Sequence, residues 1–161
     1  MKEIEGNINT DAVRYSKVVI IASKFNFYIV ERLIKGALEG LKEMCIKESD
    51  VSIVYVPGAF EIPVTYRVLC ESKRYDAIIV LGCVIKGETA HFEYVAGPVS
   101  DSLNKLSYEY KMPTGFGLLT CYDDEQAYKR SEINPPTKEN NKGYEAAIVA
   151  LEMLSLLNRL Y

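Results

Sequence analysis

Gly82-Cys83-Val84-Ile85-Lys86-Gly87-Glu88-Thr89-Ala90-His91-Phe92-Glu93-Tyr94-Val95 is the stretch on which the reading of this chain turns. It begins where the hydrophobic strand expected over Ala77–Leu81 ends, and helical spacing takes over after it. Its turn carries glycine, a cation, a threonine and the only histidine among 161 residues. A strand, a polar glycine turn and a helix form a geometry that holds an anion on free backbone N–H groups. An imidazole beside that anion points to a reaction centre.

The rest of the chain sets the frame around this turn. Val18–Ala22 is a short apolar, β-branched run that reads as a buried strand, and Val51–Val56 reads as a second strand. Between them, Val30, Leu33, Ile34, Ala37, Leu38, Leu41 and Met44 make one apolar stripe on a helix from about Phe27 to Met44. After the second strand comes the turn Pro57-Gly58-Ala59-Phe60, then a helix over Glu61–Lys73, with Pro63 in its first turn, where a missing N–H costs little. Phe92–Tyr110 follows the third strand, Phe116–Thr120 is the fourth, and Asp123–Ser131 is a short helix. Pro135-Pro136 breaks the chain into a loop. The last helix, about Lys142 to Asn158, carries two apolar stripes: one covers the sheet, and the other calls for a neighbouring subunit.

Strands alternating with helices predict a single α/β domain, a three-layer α/β/α sandwich around a doubly wound, flavodoxin-like, four-stranded parallel sheet. Ligands in such folds sit beyond the carboxyl ends of the strands. Hydrophobic residues make up 48% and charged residues 25%, enough for a core. A net charge of -3 argues against a nucleic-acid or anionic-membrane partner. No apolar run is long enough to span a membrane, and the first residues lack the character of a signal or transit peptide. Cys45, Cys70, Cys83 and Cys121 form no C-x-x-C pair, so zinc and a disulfide framework are not indicated, and a reducing cytoplasm is the expected setting.

Several residues have two readings on sequence alone. His91 is a general acid/base or a capping histidine. Gly87-Glu88-Thr89 is a phosphate cradle or an ordinary capped helix start, which Thr89 and Glu93 also supply. Phe25 stacks on a flat ring or joins the core. Glu61 accepts hydrogen bonds from ligand hydroxyls or sits on a helix dipole. Arg130 pairs an oxyanion or is a solvated helix-end arginine. Asp123-Asp124-Glu125 reads as a helix start rather than a metal site. No nucleotide-binding glycine motif is present.

Taken together, Lys24-Phe25-Asn26, Val56-Pro57-Gly58-Ala59-Phe60-Glu61-Ile62-Pro63, Gly82–Val95, Pro113-Thr114-Gly115-Phe116-Gly117, Glu125-Gln126-Ala127 through Arg130, and Asn141-Lys142-Gly143 resemble the lumazine synthase family in order and spacing. The resemblance covers about Val18 to Leu157. It implies condensation of 5-amino-6-ribitylaminouracil with 3,4-dihydroxy-2-butanone 4-phosphate, releasing phosphate and water, with neither cofactor nor metal. Carried over, Phe25 stacks on the pyrimidine, the backbone of Cys83, Val84 and Ile85 reads its polar edge, and Gly58, Ala59, Phe60 and Glu61 hold the ribityl chain. Lys86, Gly87, Glu88 and Thr89 hold the phosphate, completed by Arg130 of an adjacent subunit, while Phe116 closes the ring pocket from there. His91 moves protons, and Lys142 matches a lysine near the site.

The chain departs from the family pattern at Lys86 (usually Arg), Cys83 (usually Thr) and Lys129 (usually Glu). The segment Ser131–Asn140 is longer than the common Gly-rich connection. In this family such proline-containing insertions accompany pentamers or paired pentamers, so a homopentamer is expected rather than a closed shell. Residues 1–14 are expected as an extended segment packing on a neighbour. Three other readings stand beside it: an archaeal-type riboflavin synthase, which handles no phosphate substrate; a flavin- or lumazine-binding protein or shell scaffold without turnover; and a flavodoxin-like redox or signalling domain, whose phosphate loop is absent.

Overall fold

The computed structural model describes residues 1–161. Four strands, β1 (Val18–Ser23), β2 (Val51–Val56), β3 (Ala77–Ile85) and β4 (Thr114–Cys121), alternate with helices. The short α1 (Asp11–Arg14) precedes β1, and α2 (Phe27–Glu43), α3 (Ile62–Ser72) and α4 (His91–Tyr110) follow β1, β2 and β3. α5 (Asp124–Lys129) and α6 (Lys142–Leu160) complete the chain. All pairings are parallel, in the order β2-β1-β3-β4. No helix is long and apolar enough to cross a membrane.

Every residue of β1 is buried, because the sheet is covered on both faces. Val18, Ile20 and Ala22 meet α2 and α6, while Val19 and Ile21 meet the α3–α4 side. A strand in that position needs apolar residues at every position rather than at alternate ones, as its sequence has. The chain steps from β1 to β2 through α2, then back past β1 to β3 through α3. Right-handed crossovers in opposite directions put those helices on opposite faces. The order therefore reverses between β1 and β3, and a crevice opens at their carboxyl ends.

The last helix is docked with its backbone almost touching its neighbours. A Cβ on Gly143 would stand 1.9 Å from the carbonyl oxygen of Leu33, and one on Gly115 would stand 2.0 Å from that of Ala146. Asn141, fully buried, locks this junction. Its Oδ1 accepts from the amides of Gly143 and Tyr144 at 2.9 and 3.1 Å, capping α6. Its Nδ2 donates to Glu132 O at 2.8 Å and Arg32 O at 3.1 Å, tying the loop to α2. The second stripe of α6 is half-buried at Val149, Met153 and Leu156 and exposed at Leu160. Residues near the N-terminus run along this chain's own α6: Asn7 N donates to Ser155 Oγ at 2.8 Å, and Arg159 Nη1 to Glu5 O at 2.5 Å.

Several boundaries differ from the sequence reading, and Asp11–Arg14 is a helical turn within the segment 1–14 expected as extended, its Val13 being buried against the core. β3 continues past Leu81 to Ile85, because β4 offers partners as far as the pair Ile85 and Cys121. β4 begins at Thr114, two residues before Phe116, for the same reason. Ala59–Glu61 is a 3-10 turn, and the α-helix starts at Ile62 with Pro63 in its first turn.

Gly143→Ala should destabilise the chain by about 3 kcal/mol, since its methyl must displace the α2 backbone. Thermal unfolding should then show a midpoint lowered by roughly 10 °C.

Candidate active site

The site arises where β1 and β3 part. The chain leaves β1 toward β2: Lys24 N donates to Val56 O at 2.9 Å and Phe25 N to Pro57 O at 3.1 Å. β3 continues upward beside β4. Ile78 N donates to Pro113 O and Lys86 N to Cys121 O, so even-numbered residues of β3 turn their peptide groups to β4 and odd-numbered ones to β1. Pairing with β1 stops at Ala22 and Leu81. Beyond it, the N–H and carbonyl of Ile85 face a cavity of about 730 Å³ instead of a strand.

Eleven of the residues singled out from sequence line this cavity. Phe25, 70% exposed, forms one lip. Gly58, Ala59, Phe60 and Glu61 form a second wall, with the Phe60 ring 66% exposed. Cys83, Val84 and Ile85 make the floor, and Gly87, Thr89 and His91 the remaining side. Two large aromatic rings left open around one concavity mark a surface built to be covered. Glu61 Oε2 accepts from the Gly58 amide at 2.9 Å, which fixes the turn and leaves Oε1 without a protein partner. Phe92, Tyr94 and Val95 also line the cavity and were not singled out. Val95 lies on the apolar stripe of α4 with Val99, Leu103 and Leu106, and Tyr94 lies off it, so periodicity carries no signal for either.

The turn before α4 presents a row of unbonded amides. The amides of Gly87, Glu88, Thr89 and Ala90 donate to no acceptor in the chain. They lead into a helix of 20 residues whose N-terminus has no side-chain cap. Aligned peptide dipoles add partial positive charge at that end. Thr89 Oγ1 lies 3.4 Å from the His91 amide, with its hydroxyl proton available. A Cβ on Gly87 would meet nothing within 4 Å, and no glycine here has positive φ. Gly87 therefore serves neither turn conformation nor packing, and its lack of a side chain leaves room beside these amides. Lys86 and Glu88 are outside the cavity lining. The Lys86 ammonium lies 3.8 Å from Glu93 Oε1 and 5.7 Å from the centre of the Tyr122 ring.

Phe116, Arg130 and Lys142 are elsewhere. They line a second depression of about 390 Å³ against β4 and α6, with Cys121 and Glu145. Phe116 pairs with Val80, well below the rim where β3 ends. Arg130 caps the carboxyl end of α5, its Nη1 donating to Gln126 O at 3.0 Å. The turn that carries it is fastened to α2. Arg32 Nε donates to Ser131 O at 2.9 Å, the same guanidinium covers the Tyr128 ring at 5.2 Å, and the Tyr28 hydroxyl bonds Asp124. Lys142 pairs with Glu145. One chain thus carries two separate sets of the expected residues, at different edges of the sheet.

Burial pushes the Cys83 thiol up to about 12, with Cys121 adding to the effect. Burial also raises Cys121 and takes Cys70 to about 11. No group of three or more His, Cys, Asp and Glu side chains converges anywhere in the chain. A family model described as 6,7-dimethyl-8-ribityllumazine synthase matches residues 15–158.

Because thiolate is the reactive form, a disulfide reagent at neutral pH should modify only Cys45, the exposed thiol, in the folded protein. Fast labelling located at Cys83 by peptide mapping would show that this thiol is open to solvent through the cavity.

Proposed function

The chain belongs to the 6,7-dimethyl-8-ribityllumazine synthase family, and we propose that it carries out that family's condensation in a pocket that two neighbouring copies complete. The family catalyses the penultimate step of riboflavin biosynthesis. The observation that carries this reading is the meeting of an exposed aromatic plate, a nest of unbonded amides and the only imidazole on one cavity. Phe25 stacks on the pyrimidine of 5-amino-6-ribitylaminouracil. The open peptide edge of Ile85, with Cys83 and Val84 beneath, reads the polar edge of that ring. Gly58, Ala59, Phe60 and the unpaired Oε1 of Glu61 take the ribityl hydroxyls.

The phosphate of 3,4-dihydroxy-2-butanone 4-phosphate lies on the amides of Gly87, Glu88 and Thr89 and on the Thr89 hydroxyl. Lys86 and Glu88 contribute through backbone and through field rather than by direct side-chain contact. Arg130, Phe116 and Lys142 come from the adjacent copy. Their depression supplies the cation and the second ring face that the first cavity lacks, and the half-buried outer stripe of α6 supplies contact area. Residues 1–14, held in part on this chain's own α6, present their outer side to the neighbour, and the insertion at Ser131–Asn140 limits assembly to a homopentamer or paired pentamers. The setting is cytoplasmic.

The chemistry asks little of any single side chain. The substrate amine adds to the butanone carbonyl and water leaves to give an imine, phosphate departs by elimination, and the ribitylamino nitrogen closes the ring onto the remaining carbonyl with loss of a second water. Holding two substrates in register supplies most of the acceleration. The nest and the neighbouring guanidinium stabilise charge on the departing phosphate. His91, at the first turn of α4 beside the nest, relays protons between amine, carbonyl and leaving group.

Mixing both precursors with the protein should generate lumazine absorbance; no product would refute the reading. His91→Ala should slow turnover by about 10- to 100-fold. Arg130→Ala should cost more and act chiefly on the phosphate substrate, and an unchanged rate and KM would remove Arg130 from the site. Sedimentation should give a mass about five times the 18.2 kDa of one chain, or twice that for paired pentamers. A shell-sized particle would overturn the role given to the insertion.

A further inference from the structure

A polar residue just before a helix ordinarily caps it, but Asn26 does not. It stands before α2 in the left-handed region, φ 54° and ψ 43°, and its side chain makes no bond to the helix amides. Its Nδ2 instead donates to Cys83 O on β3 at 2.9 Å. The register explains why that carbonyl is available. Ala22 faces Leu81, so a straight continuation of β1 would bring its next amides against Cys83. Of these, Lys24 N faces β2 and continues the ladder to Val56 O, while Phe25 N, the amide that would have met Cys83 O, has turned to Pro57 O on the β2 side. The side-chain amide of Asn26 occupies the position that the departed backbone vacated.

The attachments on the two sides of the Phe25 turn differ in kind. Toward β2 the turn is held by main-chain bonds that any non-proline sequence could make. Toward β3 the Asn26 amide supplies the direct hydrogen bond. Asparagine suits the position because it tolerates the left-handed backbone and carries a donor. Asn26 is not itself a wall of the cavity.

We propose that Asn26 is a positioning residue for the flat heteroaromatic substrate. It sets the distance between the stacking ring of Phe25 and the open peptide edge of Ile85, the two surfaces that grip the ring's face and its rim. This deepens, and rests on, the assignment of that subsite to the pyrimidine. The phosphate nest at 87–90 lies beyond the strand end and is held by Lys86 N on Cys121 O. Loosening the Asn26 bridge therefore acts on one substrate and spares the other.

Asn26→Gly keeps the left-handed backbone and deletes the amide. Asn26→Asp keeps the shape and sets an acceptor against the Cys83 carbonyl. The expected result for Asn26→Gly is a KM for the pyrimidine substrate and a Kd for the lumazine product, read by fluorescence quenching, each raised about tenfold. The KM for the butanone phosphate should stay within about twofold, and Asn26→Asp should show a larger change in the same direction. Thermal unfolding of both variants separates this from loss of structure. Equal rises in both KM values, or product affinity unchanged in a stable Asn26→Gly, would overturn the proposal. The two failures are distinguishable: a parent protein that neither makes nor binds lumazine removes the underlying assignment, and this inference with it. A parent that does both, beside an Asn26→Gly variant that matches it, removes only this inference.

Discussion

A parallel strand that outruns its neighbour leaves peptide groups that must find partners elsewhere. β3 does this here: β4 accompanies it to Ile85, while β1 has already turned toward β2 after Ser23. Everything at the candidate site is organised around that unpaired edge. Cys83 O is satisfied by a side chain from the departing turn, and Ile85 is left open to a ligand. The turn after Ile85 then leads into α4 with its own amides unspent. A buried sheet supplies rigidity below, and the mismatch in strand length supplies recognition above.

Much of the fold was legible because a central strand buried on both faces needs apolar residues at every position, as Val18–Ala22 has. β2, an edge strand with only Val56 buried, was legible from its β-branched run alone. The end of β3 was misplaced for a physical reason. Gly82-Cys83 resembles a turn, yet Gly82 belongs to the strand: a Cβ there would stand 2.7 Å from Leu118 Cδ1. The need is for close packing, and sequence does not distinguish that from a need for conformational freedom. Phe25, the block at 58–61 and Cys83, Val84, Ile85, Gly87, Thr89 and His91 line one cavity, with Lys86 and Glu88 outside it. Their convergence follows from the order of the strands, which no single motif encodes.

The residues that escaped notice fall into two kinds. Phe92, Tyr94 and Val95 reach the cavity from the first turn of α4, where a core stripe and a pocket wall share the same spacing. Asn26 stood beside Phe25 in a block that carried the resemblance, yet took no role of its own, since a polar residue ahead of a helix reads as a cap. Lys86 shows the reverse. Its charge suggested a direct role, but its chain direction carries the ammonium to Glu93 and Tyr122. Charge in a motif identifies a neighbourhood, and only the backbone path decides which way a side chain leaves it.

The unspent amides after β3 also bear on how such a chain tolerates change. The atoms offered to a ligand there are those that every non-proline residue possesses. Substitutions such as lysine or glutamate at 86 and 88 alter what hangs outside while the inward lining keeps its chemistry. A centre built in this manner is passed on as a trajectory of the polypeptide more than as a set of letters. Drift in the alphabet at these positions is then a poor clock for drift in activity.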